Sequence, residues 1–210
     1  MKHKFTPLEP DCVYHIYNGT NGNERLFMND ENYRFFLNKY KQYISPVVDT
    51  FCYCLMRNHF HILVRVKDLE ELRRFLIEKN RMAKKEDLQG FENLEGLVGQ
   101  QFSNFFNAYA KAFNKQQNRR GSLFMHTYNR IRVSDDQYFR KLVHYIHYNP
   151  VEAKYCNSPG DWKFSSYNSL ISTSPTSLLR EELLSYFQDR ENFIYCHQTP
   201  PGESGIEGDF

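Results

Sequence analysis

An α+β sandwich, an antiparallel sheet with helices on one face, is the fold class this sequence predicts. Three observations predict it. His59 to Val66 alternates, with Phe60, Ile62, Val64 and Val66 on one side and His59, His61, Leu63 and Arg65 on the other. That is the period-two pattern of a strand with one buried face. Tyr33, Phe36, Leu37, Tyr40 and Ile44 repeat at helical spacing, and so do Phe102, Phe105, Phe106, Tyr109 and Phe113. The segments follow one another as β-α-β-β-α-β, a ferredoxin-like order that leaves the second sheet face open.

Each element has its own warrant. Cys12 to Tyr17 is rich in strand formers and breaks at Asn18-Gly19-Thr20-Asn21-Gly22. Asn29 or Asp30 caps the first helix and Pro46 stops it. Val47 to Leu55 and His59 to Val66 read as two strands, with Arg57-Asn58 near their turn. Asp68 opens a short helix carrying Leu69, Leu72, Phe75 and Leu76. Lys79 to Gly99 is charged and without pattern, and reads as an inserted loop. The second long helix ends before Gly121, and a strand is expected around His126 to Val133. Ser134-Asp135-Asp136-Gln137 reads as a capping box that starts a helix buried through Phe139, Val143 and Ile146. Pro150 disfavours helical geometry at Asn149, which places that residue at a helix end or kink. Residues 1–172 form the expected domain. Residues 173–210 form a helical extension with an amphipathic stretch, Leu178 to Phe187, and an acidic tail expected to be disordered.

Composition bounds the function less than arrangement does. The chain has 210 residues, enough for one domain, with 15 Tyr and 18 Phe, so a single tyrosine says little by itself. Net charge is only +2, which does not announce a nucleic-acid binder. Its distribution is more telling. Gln101 to Ser134 contains no Asp or Glu, while Lys111, Lys115, Arg119, Arg120, Arg130 and Arg132 form a cationic stripe suited to phosphate, or simply a solvated face. The five cysteines show no repeated CxxC, and Cys52 and Cys54 read as small buried hydrophobes. Met1-Lys2-His3-Lys4-Phe5 has no apolar leader and no run reaches membrane-spanning length, which points to the cytoplasm and away from a membrane.

The chemistry concentrates in two places. His59 and His61 share a strand face, and imidazoles so placed can grip one divalent cation; the plainer account is hydrogen bonding at a sheet edge. Tyr145 and Asn149 are four apart on one helix face. The Asn149 carboxamide is a candidate third ligand and Tyr145 a candidate nucleophile. Tyr148 competes for that role, and His144 and His147 compete as ligands.

Asn58-His59-Phe60-His61-Ile62-Leu63-Val64, Phe105-Phe106-Asn107-Ala108-Tyr109, Arg120-Gly121-Ser122-Leu123-Phe124 and Tyr145-Ile146-His147-Tyr148-Asn149-Pro150-Val151-Glu152-Ala153 together resemble the HUH-type single-tyrosine transposases, closest to the REP-associated branch. The resemblance runs from about Cys12 to Leu170 and takes in Trp162-Lys163-Phe164-Ser165-Ser166-Tyr167. It implies a ferredoxin-like fold, Mg²⁺ or Mn²⁺ on His59 and His61, Tyr145 as nucleophile and Asn149 completing the metal site. It implies nicking and strand transfer of single-stranded DNA beside hairpins through a 5′-phosphotyrosine. Phosphate contacts are expected from Arg57, Asn58, Lys111, Lys115, Arg119, Arg120, Arg130 and Arg132. Assembly stays open between monomer and homodimer, with the nearest branch pointing to a monomer. The rivals are a domesticated hairpin-binding protein that no longer cuts and a metal-dependent hydrolase; a barrel of the latter kind needs about 250 residues.

Overall fold

The computed structural model describes residues 6–20, 24–82, 94–125 and 127–202. In chain order the elements are β1 (Val13–Gly19), α1 (Asp30–Tyr43), β2 (Val48–Leu55), β3 (His59–Val66), α2 (Leu69–Met82), α3 (Leu94–Gln116), β4 (Asn129–Val133) and α4 (Asp136–Glu152). The short helices α5 (Tyr167–Ile171), α6 (Arg180–Ser185) and α7 (Arg190–Cys196) follow. The sheet runs β2-β3-β1-β4 with every pairing antiparallel, so the expected α+β sandwich stands.

The alternation in β3 decides the layers. Phe60, Ile62, Val64 and Val66 are at most 2% exposed and join Tyr14, Ile16, Phe36, Phe102 and Phe105 in one core under α1 and α3. Phe36 sits at the centre, its ring 5.2 Å from Phe60 and 4.7 Å from Phe105. Burying a side chain of that size stabilises the fold by about 1.5–3 kcal/mol. Asn29 caps α1 by accepting from the Asn32 amide, and the helix ends at Tyr43, before Pro46.

The second sheet face is not bare, which corrects the expectation of an open face. Phe51, Cys52, Cys54, Leu63 and Val133 on that side pack against Phe139, Leu142, Val143 and Ile146 of α4, and against Leu183, Phe187 and Phe193 from the C-terminal helices. The apolar members of the histidine face need cover, and residues beyond 172 supply part of it.

Local expectations also shift. Lys79–Met82 belong to α2 and Leu94–Gly99 begin α3, so both ends of the expected loop are helical, and residues 83–93 lie outside the described residues. The end of α2 is polar and carries no apolar stripe, whereas at the start of α3 the buried Leu97 and Val98 run in helical phase with Phe102 and Phe105, a signal hidden by the charged run before it. β4 begins at Asn129, and His126 lies outside the described residues. The cap of α4 is Asp135, not Ser134: its carboxylate accepts from the Tyr138 amide at 2.7 Å, where a negative charge also suits the helix N-terminus.

Pro150 neither ends nor breaks α4 at Asn149; the helix runs on to Glu152. Pro150 falls in the last turn, where the helix is about to stop. There Lys154, at φ 58°, makes the left-handed turn, and the Tyr155 amide bonds back to the Pro150 carbonyl at 2.8 Å. The C-terminal segment is helical through α6 and α7, while residues 203–210 lie outside the described residues. No described helix is long and apolar enough to cross a membrane.

Candidate active site

β3 delivers His59 and His61 to the second sheet face. Across the β1 pairing, His59 stands opposite Gly19, His61 opposite Tyr17 and Leu63 opposite His15. Opposed residues of an antiparallel pair project to the same side. β1 therefore adds His15 and Tyr17 to the histidine face. His15 stacks on Tyr17 at 4.7 Å and on His61 at 5.1 Å.

α4 lies over this face on its apolar stripe, and that packing sets Tyr145 beside the histidines. The Tyr145 ring meets His61 edge-on, centroids 5.4 Å apart at 78°. His59 and His61 are 5.1 Å apart at 83°. Asn149, one turn after Tyr145, donates from Nδ2 to the Tyr145 carbonyl at 2.9 Å. Its carboxamide also lies within reach of both His59 and the Tyr145 phenol, where it favours the charged form of each. The four residues expected to act together are together, within one chain.

Burial sets the electrostatics. It lowers His59 to about 4, against the opposing hydrogen bond with Asn149. Burial, with the neighbouring His15 and His59, holds His61 well below the ordinary imidazole value. Burial alone takes His15 to about 3. All three are neutral near pH 7, the form in which an imidazole ligates a cation. Burial raises the Tyr145 phenol; the Asn149 hydrogen bond opposes the shift, and Glu152, Tyr17 and Tyr138 add to it.

Among the described residues no group of three or more His, Cys, Asp or Glu is placed to hold a metal. A cation here would rest on His59, His61 and the Asn149 amide, with substrate oxygens as further ligands. Two neutral imidazoles fit a transition-metal cation such as Mn²⁺ better than Mg²⁺, which prefers oxygen.

The competing side chains are occupied elsewhere. His144 Nε2–H donates to the Thr199 carbonyl at 2.9 Å, and Tyr148 packs against His144. His147 is fully buried in a relay. Ser166 Oγ lies 2.8 Å from His147 Nε2, His147 Nδ1 lies 3.2 Å from His197 Nε2, and His197 Nδ1–H donates to the Phe193 carbonyl at 2.7 Å.

The residues expected to contact DNA divide. Asn58 accepts from His59 Nδ1–H at 2.8 Å, so its side-chain oxygen serves the site. Arg57 lies 4.4 Å over the Tyr155 ring, at a cavity of about 420 Å³ shared with Tyr33, Trp162 and Phe164. The cationic stripe lies away from the histidines. Arg130 and Arg132 pair with Ile16 and Tyr14, which puts them on the α1/α3 side of the edge strand. Arg132 is ion-paired with Glu9 and Arg119 with Glu24, and Arg119 also donates to the Gly121 and Ser122 carbonyls. Lys111, Lys115 and Arg120 are exposed.

Sequence reasoning passed over His15 and Tyr17. A signal existed, because the alternation that puts Tyr14 and Ile16 in the core puts His15 and Tyr17 on the other side.

No protein-family model and no curated protein matches the sequence. Among solved structures, the chain is similar to a REP-associated tyrosine transposase bound to a REP hairpin. The TM-score is 0.55 at 12% identity, over 83% of this chain and 89% of that one. At that identity the likeness is one of fold.

Proposed function

We propose that the protein is a metal-dependent single-stranded DNA endonuclease and strand transferase, a transposase-like enzyme that acts beside hairpins through Tyr145. The observation that carries the reading is the contact of the Tyr145 ring with His61, with Asn149 bonded to the Tyr145 carbonyl on the same helix face. The likeness in fold to a hairpin-bound transposase supports a hairpin substrate.

His59, His61 and Asn149 would hold Mn²⁺ or Mg²⁺, and the bound ion supplies Lewis-acid polarisation of the scissile phosphate. Tyr145 Oη attacks phosphorus, forming the Tyr–O–P bond as the P–O3′ bond breaks. The phenol proton is lost, and the departing 3′ oxygen gains one. The phosphotyrosine preserves the ester, so the 3′-hydroxyl of another strand can take the 5′ end by the reverse step. Asn149 donates its amide hydrogens on the tyrosine side, which stabilises a phenolate that burial disfavours. Lys111, Lys115 and Arg120 are the exposed cations for hairpin phosphates.

A denaturing gel tests this with wild type and Tyr145→Phe, labelled single-stranded DNA bearing the hairpins that flank its own gene, and Mn²⁺ or chelator. A Mn²⁺-dependent covalent band in wild type alone is expected. Tight hairpin binding by wild type with no band would make the protein a binder that does not cut.

A further inference from the structure

The two imidazoles of the candidate site are held alike. Asn58 Oδ1 accepts from His59 Nδ1–H at 2.8 Å, and His15 Nε2 lies 3.0 Å from His61 Nδ1. With Nδ1 engaged on both rings, any cation must be met by Nε2 on both. An amide oxygen can only accept, so His59 is the Nδ1–H tautomer. His61 has an imidazole partner, which can accept or donate, so His15 decides which nitrogen of His61 carries the proton.

We infer that His15 is a positioning residue for the cation site: by accepting from His61 Nδ1–H, it holds His61 in the tautomer whose Nε2 lone pair can ligate a metal. This rests on the reading of His59 and His61 as cation ligands. A metal-bound histidine commonly gives its other N–H to a partner that fixes its tautomer and ring orientation. His15 is built for that part. It is 2% exposed, and its ring is stacked between Tyr17 and His61, which holds its plane.

His15 also bears a cost that packing does not explain. Its Nδ1 is buried with no hydrogen-bond partner among the described residues. Elsewhere in this chain a buried histidine pair is satisfied throughout: His147 and His197 place all four ring nitrogens against Ser166, each other and the Phe193 carbonyl. A phenylalanine at position 15 would fill the stack without an orphaned polar atom. A histidine that leaves a nitrogen unmet at the site, while the other nitrogen meets His61, is explained by its service to His61.

The test reads the tautomer and the metal separately from catalysis. Long-range proton–nitrogen spectra of metal-free, ¹⁵N-labelled wild type should show His61 protonated at Nδ1. In His15→Phe that pattern should give way to protonation at Nε2 or to a mixture. Mn²⁺ affinity, followed by the EPR signal of free Mn²⁺, should fall about 10–100-fold in His15→Phe. His15→Gln, whose amide oxygen can accept from His61 Nδ1–H, should recover much of it. Hairpin affinity in chelator should match wild type in both variants. Wild type with His61 protonated at Nε2 overturns the inference, and so does a folded His15→Phe that binds Mn²⁺ as tightly as wild type. Should Mn²⁺ binding depend on His15 while wild type nicks no DNA, the proposed reaction fails and the role of His15 stands. Should no chain bind Mn²⁺, both fail.

Discussion

Acidification from pH 7.5 to 5.5 is expected to remove a large part of this protein's stability. Four histidines, His15, His61, His147 and His197, are at most 2% exposed. Burial lowers His15 and His197 to about 3, and His61 and His147 well below the ordinary value. The sign follows from linkage. In the unfolded chain each titrates near the ordinary value of about 6.5, while in the folded chain each stays neutral. As pH falls below that value the unfolded state takes up protons that the native state does not, so stability is present above about 6.5 and is lost on the way down. Between pH 7.5 and 5.5 one such group costs about 1.4 kcal/mol, and four cost on the order of 5–6 kcal/mol. That is comparable with the whole stability of an ordinary domain, about 5–15 kcal/mol. Urea midpoints at half-unit pH steps, in chelator, would measure it. A midpoint that stays level or rises from pH 7.5 to 5.5 would refute the claim that these imidazoles are held neutral by burial.

Two further outcomes follow from single contacts. Ser166→Ala leaves the Tyr53 amide and His147 Nε2 without the hydroxyl that meets them at 2.8 Å each, and should cost about 2–5 kcal/mol in urea unfolding. Neutralising Lys111, Lys115 and Arg120 together should lower the slope of log affinity for hairpin DNA against log salt by up to about 3, whereas Arg119→Gln should mainly loosen the turn at Gly121.

The sequence made β3 legible because a period of two with one apolar side admits one burial pattern, and the buried side came out at most 2% exposed. Tyr145 and Asn149 were legible for a similar local reason: four residues on a helix is one face. What was not legible depended on register between distant segments. Tyr17 opposes His61 and His15 opposes Leu63 only once β1 and β3 have paired, and no local signal in Val13–Gly19 states that offset. The cover over the second face failed to show for another reason. Leu178 to Phe187 reads as amphipathic, but nothing local says which surface it covers, and α7 is only 7 residues long; together α6 and α7 bring Leu183 and Phe193 to full burial.

Those short helices bear on whether the tyrosine works with histidines of its own chain. α4 is gripped on two sides. One side packs on the sheet through Leu142, Val143 and Ile146, and His147 ties the helix to α7 and to Ser166 through the relay. Tyr145 lies two residues before His147, so the clamp that fixes the helix also fixes the phenol beside His61. For Tyr145 to serve a partner's histidines, α4 would have to leave a core of fully buried side chains and open a satisfied buried relay. A mixture of Tyr145→Phe chains with His61→Ala chains separates the two arrangements. In the first arrangement every chain lacks either nucleophile or ligand, and mixing should restore no covalent DNA band. Exchange of α4 would let the intact Tyr145 of one chain meet the intact histidines of the other, and a band appearing only on mixing would overturn the single-chain site.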